Sequence, residues 1–198
     1  MKPKNGYNKW AKFYDYIENK MPIGKFKKEA VSHLKGKVLE VGIGSGANLK
    51  YYPKEIEVIG LDFSKEMLNL AEKKIEKLNL KNITLVEMNI ENIQFPNNSF
   101  DSVLSTCVFC TVPNPQKGLE EIYRVLKPGG SAIFLEHMKS KNSFINFFLW
   151  ILNFLTINIL GTSLLRETEK TIRRIGFKEI KVKNLMMKDV LRLIIVKK

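Results

Sequence analysis

The stretch VLEVGIGSGANL at 38–49 sets Gly42, Gly44 and Gly46 at every second position, behind an apolar run carrying Glu40 and ahead of a helix-like run. Glycine accepts positive φ and lets the backbone lie close to a ligand, so a strand ending this way reads as a binding loop. Backbone N–H groups with a helix N-terminus behind them suit the polar part of a nucleotide. Gly42, Gly44 and Ala47 also satisfy the spacing G-x-G-x-x-G/A, so the glycines alone leave a nicotinamide cofactor open.

Working outward, short β-branched runs recur as KVLEVG (37–42), EVIGLD (57–62), ITLVEM (83–88), DSVLST (101–106), SAIFLEH (131–137), EIKVKNL (179–185) and VLRLIIV (190–196). Helical spacing fills 64–78 through Met67, Leu68, Ala71, Ile75 and Leu78, and 119–126 through Leu119, Ile122, Val125 and Leu126. The alternation predicts βαβ units and a mostly parallel sheet. Ser64 reads as an N-cap, and KPGG at 127–130 ends a helix and turns the chain into a strand. The last two strands have no long helical segment between them and should pair antiparallel at one edge.

The 198 residues fit one core, with 44% hydrophobic and 27% charged residues, which excludes a disordered chain. A formal charge of +13 favours anionic partners, either lipid headgroups or nucleic acid, although a merely solvated basic surface is the plainer account of it. Two cysteines, Cys107 and Cys110, give no disulfide framework, so a cytoplasmic protein is expected. The N-terminal run lacks the apolar core of a signal peptide. CVFC at 107–110 sets its sulfurs on opposite faces of an extended chain, and His33 and His137 are the only histidines, so no metal is expected.

The segment 142–165, NSFINFFLWILNFLTINILGTSLL, contains no charged residue. Its length suits a span of about 20 apolar residues. Asn146, Asn153, Thr156, Asn158 and Gly161 interrupt it, and a span between two strands of one sheet would tear the fold. A buried helix or a hydrophobic lid is therefore expected, with an interfacial membrane contact open.

Asp62 ends the second strand twenty residues beyond Gly42, where a carboxylate accepts from ribose hydroxyls, although a turn role before Ser64 is the plainer alternative. Glu40 lies in an apolar strand, where an ionised carboxylate is costly unless paired; a ligand ammonium would account for it, whereas pyrophosphate would be repelled. His137 closes the fifth strand, matched to general-base chemistry at neutral pH.

Together VLEVGIGSGANL, GLDFSKEML, FPNNSFDSVLST and EIYRVLKPGG resemble the class I S-adenosylmethionine-dependent methyltransferases, in the subgroup called methyltransferase domain type 11, over roughly 7–136. The resemblance implies an α/β Rossmann-like fold, with a mostly parallel seven-stranded sheet, an antiparallel C-terminal strand and helices on both faces. It implies one domain over 1–198, made of N-terminal lid helices (1–34), a cofactor core (35–137), an apolar insert or substrate lid (140–166) and a C-terminal helix with a strand pair (167–198). It also implies S-adenosyl-L-methionine as cofactor, with Gly42, Gly44 and Gly46 along it, Glu40 near its ammonium group and Asp62 on the ribose. Phe63 and Met67 would flank the adenine, and Asn89 and Ile90 stand where the family has an acidic–apolar pair; Asn89 replaces the usual Asp. Cys107 would pass near the reacting methyl. YNKWAKFYDYI at 7–17 resembles the family's lid and would bring Tyr14 to the cofactor and Tyr7 and Trp10 to the substrate.

CVFCTVPNP, LEHMKS and SLLRETEKTIRRIGF are similar to a narrower group acting on alkyl thiols or phospholipid amines and, less closely, to quinone-ring C-methyltransferases. An apolar or lipid-like acceptor follows, with Cys110 and Arg166 as candidate contacts and an anionic membrane surface as a candidate partner. No nucleic-acid partner is expected, because no Asn-Pro-Pro-aromatic signature follows the fourth strand. An NAD-dependent oxidoreductase, a nucleic-acid methyltransferase and a non-catalytic membrane-surface protein remain the alternatives.

Overall fold

The structure, a computed structural model, describes residues 22–198, without the side chains of 158–160. Seven strands, β1 (Lys37–Val41), β2 (Glu57–Asp62), β3 (Ile83–Glu87), β4 (Phe100–Thr106), β5 (Leu126–His137), β6 (Lys178–Met186) and β7 (Leu191–Lys197), form one sheet in the order β3-β2-β1-β4-β5-β7-β6. Neighbours pair in parallel except β7, which runs antiparallel to both β5 and β6. The expected C-terminal pair is present, and β7 inserts between β5 and β6.

Strand alternation sorts the core into two layers. Leu39, Val41, Val103, Ala132 and Phe134 face α3 (Pro115–Val125) and α5 (Thr168–Ile175) through Leu119, Ile122, Val125 and Ile172. Val38, Leu104, Ile133 and Leu135 face α1 (Gly24–Ser32) and α2 (Lys65–Leu78) through Phe26, Ala30, Val31, Leu68 and Ala71. Helices therefore cover both faces. Ser64 caps α2 by accepting from Met67 N at 3.3 Å, and Asn114 caps α3 by accepting from Lys117 N at 3.1 Å, with Pro115 opening the helix. α1 lies inside the segment expected as a lid, yet its apolar face is part of the core.

One expected helix is not there. After the glycine loop the chain makes only a 3-10 turn, Leu49–Tyr51. Pro53 holds the preceding Tyr52 extended, at φ −69 and ψ 130, and so stops the helix at its first turn. A further helix, α4 (Ser143–Leu160), follows β5. Among the described residues no helix is long and apolar enough to cross a membrane.

Candidate active site

The chain runs β1, β2, β3 toward one edge and returns through β4, β5 and β7 toward the other, so the strand order reverses between β1 and β4. In open α/β sheets ligands bind beyond the carboxyl ends of the strands at such a reversal. The loops after β1 and β4 meet there.

The three glycines divide the work. All have positive φ, at 64, 57 and 80°. A Cβ on Gly42 would stand 2.6 Å from Val108 Cγ2, and one on Gly46 would stand 2.3 Å from Leu49 Cδ1. Those two let the loop close on its neighbours. A Cβ on Gly44 would meet nothing nearer than Gly42 O at 3.9 Å, so Gly44 presents bare backbone to open space.

Asp62 is buried, and its carboxylate accepts from Gly44 N and Ser64 N, each at 2.9 Å. It thus ties the glycine loop to the start of α2. Both sequence readings of Asp62 are compatible. Glu40 accepts from Asn48 Nδ2 and from the Tyr52 hydroxyl, each at 2.7 Å, so protein donors supply much of the pairing assigned to a ligand. Burial, the Glu40 charge and the hydrogen bond to it push the Tyr52 hydroxyl well above its usual range. Asn48 Oδ1 beside them is enclosed and has no donor. A ligand ammonium group would satisfy it, which is a donor the expected cofactor carries.

Toward β3, Phe63 is partly exposed and Met67 is buried at the start of α2. Asn89 is exposed and its Oδ1 accepts from Glu91 N at 2.9 Å, so the amide closes its own turn. Ile90 is buried, and a Cβ on Gly118 would touch both Ile90 Cγ1 and Phe109 Cε1 at 3.5 Å.

The loop after β4 forms the other wall. Cys107 takes φ 55, and 108–111 turn so that Cys110 Sγ donates to Cys107 O at 3.2 Å. The turn brings the cysteines to one loop without a disulfide, and burial pushes the Cys110 thiol well above its usual range. Among the described residues no cluster could hold a metal. Sequence reasoning missed the group that holds this loop, Glu136. Its carboxylate is fully buried at the end of β5 and accepts from the Ser105 hydroxyl at 2.7 Å, Val108 N at 3.0 Å and Phe109 N at 3.3 Å. Burial pushes it up to about 7 against those hydrogen bonds. An acid inside an apolar strand, the signal that singled out Glu40, would have found it.

His137 has an enclosed Nδ1 without a partner, and burial lowers its pKa, so the imidazole is neutral at pH 7. Arg166 donates from Nη2 to Val112 O at 2.9 Å and has no ion pair among the described residues, so it stands beside the β4 loop. Tyr7, Trp10 and Tyr14 lie outside the described residues.

A methyltransferase-domain family model matches residues 39–134. The ubiquinone/menaquinone biosynthesis C-methyltransferase UbiE of Rickettsia typhi is 31% identical over 214 residues, covering 91% of this chain and 86% of that protein. The chain belongs to the S-adenosylmethionine-dependent methyltransferases. Phosphatidylethanolamine N-methyltransferase of Cereibacter sphaeroides is 34% identical over 134 residues, 66% of each chain. A human thiol S-methyltransferase is 34% identical over 157 residues, covering 75% of this chain and 62% of that one. The chain thus spans about two thirds or less of those two relatives. Its fold is that of class I methyltransferases: a phosphoethanolamine N-methyltransferase of Haemonchus contortus, solved with S-adenosylhomocysteine, superposes with a TM-score of 0.74 at 18% identity, over 100% of this chain and 61% of that one.

Within the methyltransferase frame, Gly44 offers open backbone beside the Asp62 carboxylate, and Asn48 Oδ1 offers an acceptor without a donor. A small residue, an acid and an amide acceptor fit the methionine and ribose portions of S-adenosylmethionine.

Proposed function

We propose that this methyltransferase carries a methyl group from S-adenosylmethionine to a small apolar or lipid-like acceptor, a thiol, an amino-lipid or a quinol. It would work in the cytoplasm at an anionic membrane surface. Bound S-adenosylmethionine supplies an electrophilic sulfonium methyl. The protein's task is then to hold the acceptor atom in line and to keep water out. In this reading Gly44, Asp62 and Asn48 hold the cofactor, with Phe63, Met67, Asn89 and Ile90 toward its adenine. Glu136 holds the Cys107–Cys110 loop at the reacting end. His137, neutral at pH 7, accepts a proton when the acceptor is a thiol or an ammonium group; a quinol-ring carbon would not need it at the same stage. Arg166 stands where a charged acceptor group would pass.

The observation that carries the acceptor class is α4, which exposes a broad apolar face and leads from the end of β5 into the segment bonded to the β4 loop, with Ser163 N donating to Cys110 O at 2.9 Å. Relatives named for phosphatidylethanolamine, thiol and quinone substrates support the same class.

Calorimetric titration with S-adenosylhomocysteine should show micromolar binding, and NADH should show none. A methyl-transfer screen over thiols, amino-lipids and quinols then identifies the acceptor. For a protonated acceptor, His137→Asn should lower kcat about 100-fold without changing S-adenosylhomocysteine affinity. Binding of NADH alone would return the oxidoreductase reading.

A further inference from the structure

α4 is built inside out. Leu149, 4% exposed, is its one large buried apolar side chain among the described residues, whereas Phe144, Phe147, Phe148, Trp150, Ile151, Leu152, Phe154, Leu155 and Ile157 are 46–72% exposed. At 100° per residue those nine cover more than half of the helix circumference. Of the polar side chains that interrupt the segment in sequence, Asn146, Asn153 and Thr156 point the other way. Asn146 exchanges two hydrogen bonds with the Ser140 backbone, at 2.9 and 2.8 Å, and Asn153 accepts from Leu164 N at 2.7 Å. Thr156 donates to Asn153 O at 3.3 Å. Each is spent on the protein's own backbone.

An apolar face of this size is rare on soluble monomers and marks an interaction surface. We infer that α4 lies side-on in an anionic lipid surface, inserting its aromatic face below the headgroups. Lipid rather than a second copy is favoured by charge and shape. No charged residue occurs from 142 to 165, so nothing on the face sets the register of a protein partner. Exposed Lys139 and Lys141 stand before the helix, and Arg166 and Lys170 follow it; the four cations outnumber Glu167, which pairs with Lys139 at 3.9 Å and Lys170 at 3.4 Å, and Glu169, on a chain of net charge +13. Cations around an apolar helix rich in Phe and Trp are the chemistry of interfacial insertion into anionic bilayers.

This deepens the reading above by placing the acceptor's source beneath the site, but it is measured without cofactor or acceptor. The full chain should co-sediment with mixed phosphatidylcholine–phosphatidylglycerol vesicles about tenfold more strongly than with phosphatidylcholine alone. Trp150 emission should shift to the blue in a Trp10→Phe background. Phe147→Gln with Trp150→Gln should lower vesicle affinity about tenfold while the circular dichroism spectrum is unchanged. Undiminished vesicle binding by that variant, or a solution dimer that it abolishes with no vesicle binding in either protein, would overturn the inference. Failure to bind S-adenosylhomocysteine with vesicle binding intact would sink only the catalytic reading.

Discussion

Two residues show how local chemistry decides the behaviour of the site. Gly44 and Gly46 are alike in sequence and opposite in surroundings. Gly46→Ala drives a methyl into Leu49, 2.3 Å away, in a left-handed conformation that disfavours a side chain. Its cost should fall on folding, at about 2 kcal/mol in urea denaturation. Gly44→Ala has room and should lose roughly 1 kcal/mol of stability to its positive φ, but weaken S-adenosylhomocysteine about tenfold or more by filling the ligand's approach. Equal effects of both substitutions on stability and on affinity would refute the division.

Glu136 gives a pH signature. Its carboxyl titrates near 7 in the folded protein because it is buried, against about 4.3 in an unfolded chain. Between those values the native state holds a proton that the unfolded state releases, so stability contributed by this group is full below about 4.3 and lost as pH rises through 7. Glu136→Gln keeps an acceptor for Ser105 and Val108 but cannot ionise. Relative to that variant, the wild type should lose about 2 to 3 kcal/mol between pH 5 and pH 8, read from urea midpoints at the two values. Parallel pH profiles for the two proteins would show that the carboxyl does not titrate there.

At the scale of elements, legibility in the sequence followed the range of the interactions involved. α2 was readable because its apolar positions and its cap are local: Ser64 and Met67 are neighbours in sequence. The antiparallel strand pair was readable from the missing crossover, although β7's place between β5 and β6 depends on long-range pairing such as Phe134 with Ile194. Three glycines ahead of a helix-like run point to a helix after the loop, but Pro53, six positions past Ala47, holds Tyr52 extended and leaves only a 3-10 turn. α4 was half legible. Its composition announced an unusual segment, but Asn146, Asn153 and Thr156 looked like interruptions of an apolar surface. Only their partners, Ser140, Leu164 and Asn153, reveal that the amides face inward. Glu136 escaped for a related reason. Its three donors lie 27 to 31 residues away in the sequence, Ser105 on β4 and the other two on a turn that no periodicity announces.

Across the whole molecule, one polar network fastens the exposed helix to the sheet. Asp189, just before β7, accepts from the Ser140 hydroxyl, from Lys141 N at 2.8 Å and from Arg192 Nη2 at 2.9 Å. Arg192 also reaches Lys139 O at 3.0 Å and pairs with Glu169 on α5, so α5, β7 and the connection from β5 into α4 meet at one buried ion cluster. Burial works against the Asp189 charge, but the hydrogen bonds from Ser140 and Lys141 N and the Arg192 guanidinium outweigh it and hold the carboxyl below its usual range. Removing one partner of a buried pair strands the other, which is the costly direction. Arg192 keeps Glu169, so Asp189→Ala should cost about 2 to 3 kcal/mol, less than an isolated pair. That corresponds to a fall in Tm of roughly 4 to 12 °C for a chain of this size. Asp189 stands at the β5–β7 side of the sheet, away from the β1 and β2 loops, so S-adenosylhomocysteine affinity measured well below the transition should not change. A variant that melts with the wild type would show that α4 is held without this cluster, by contacts such as those of Leu149, Asn146 and Asn153. A variant that melts normally but loses the cofactor would instead place this cluster in the service of the site.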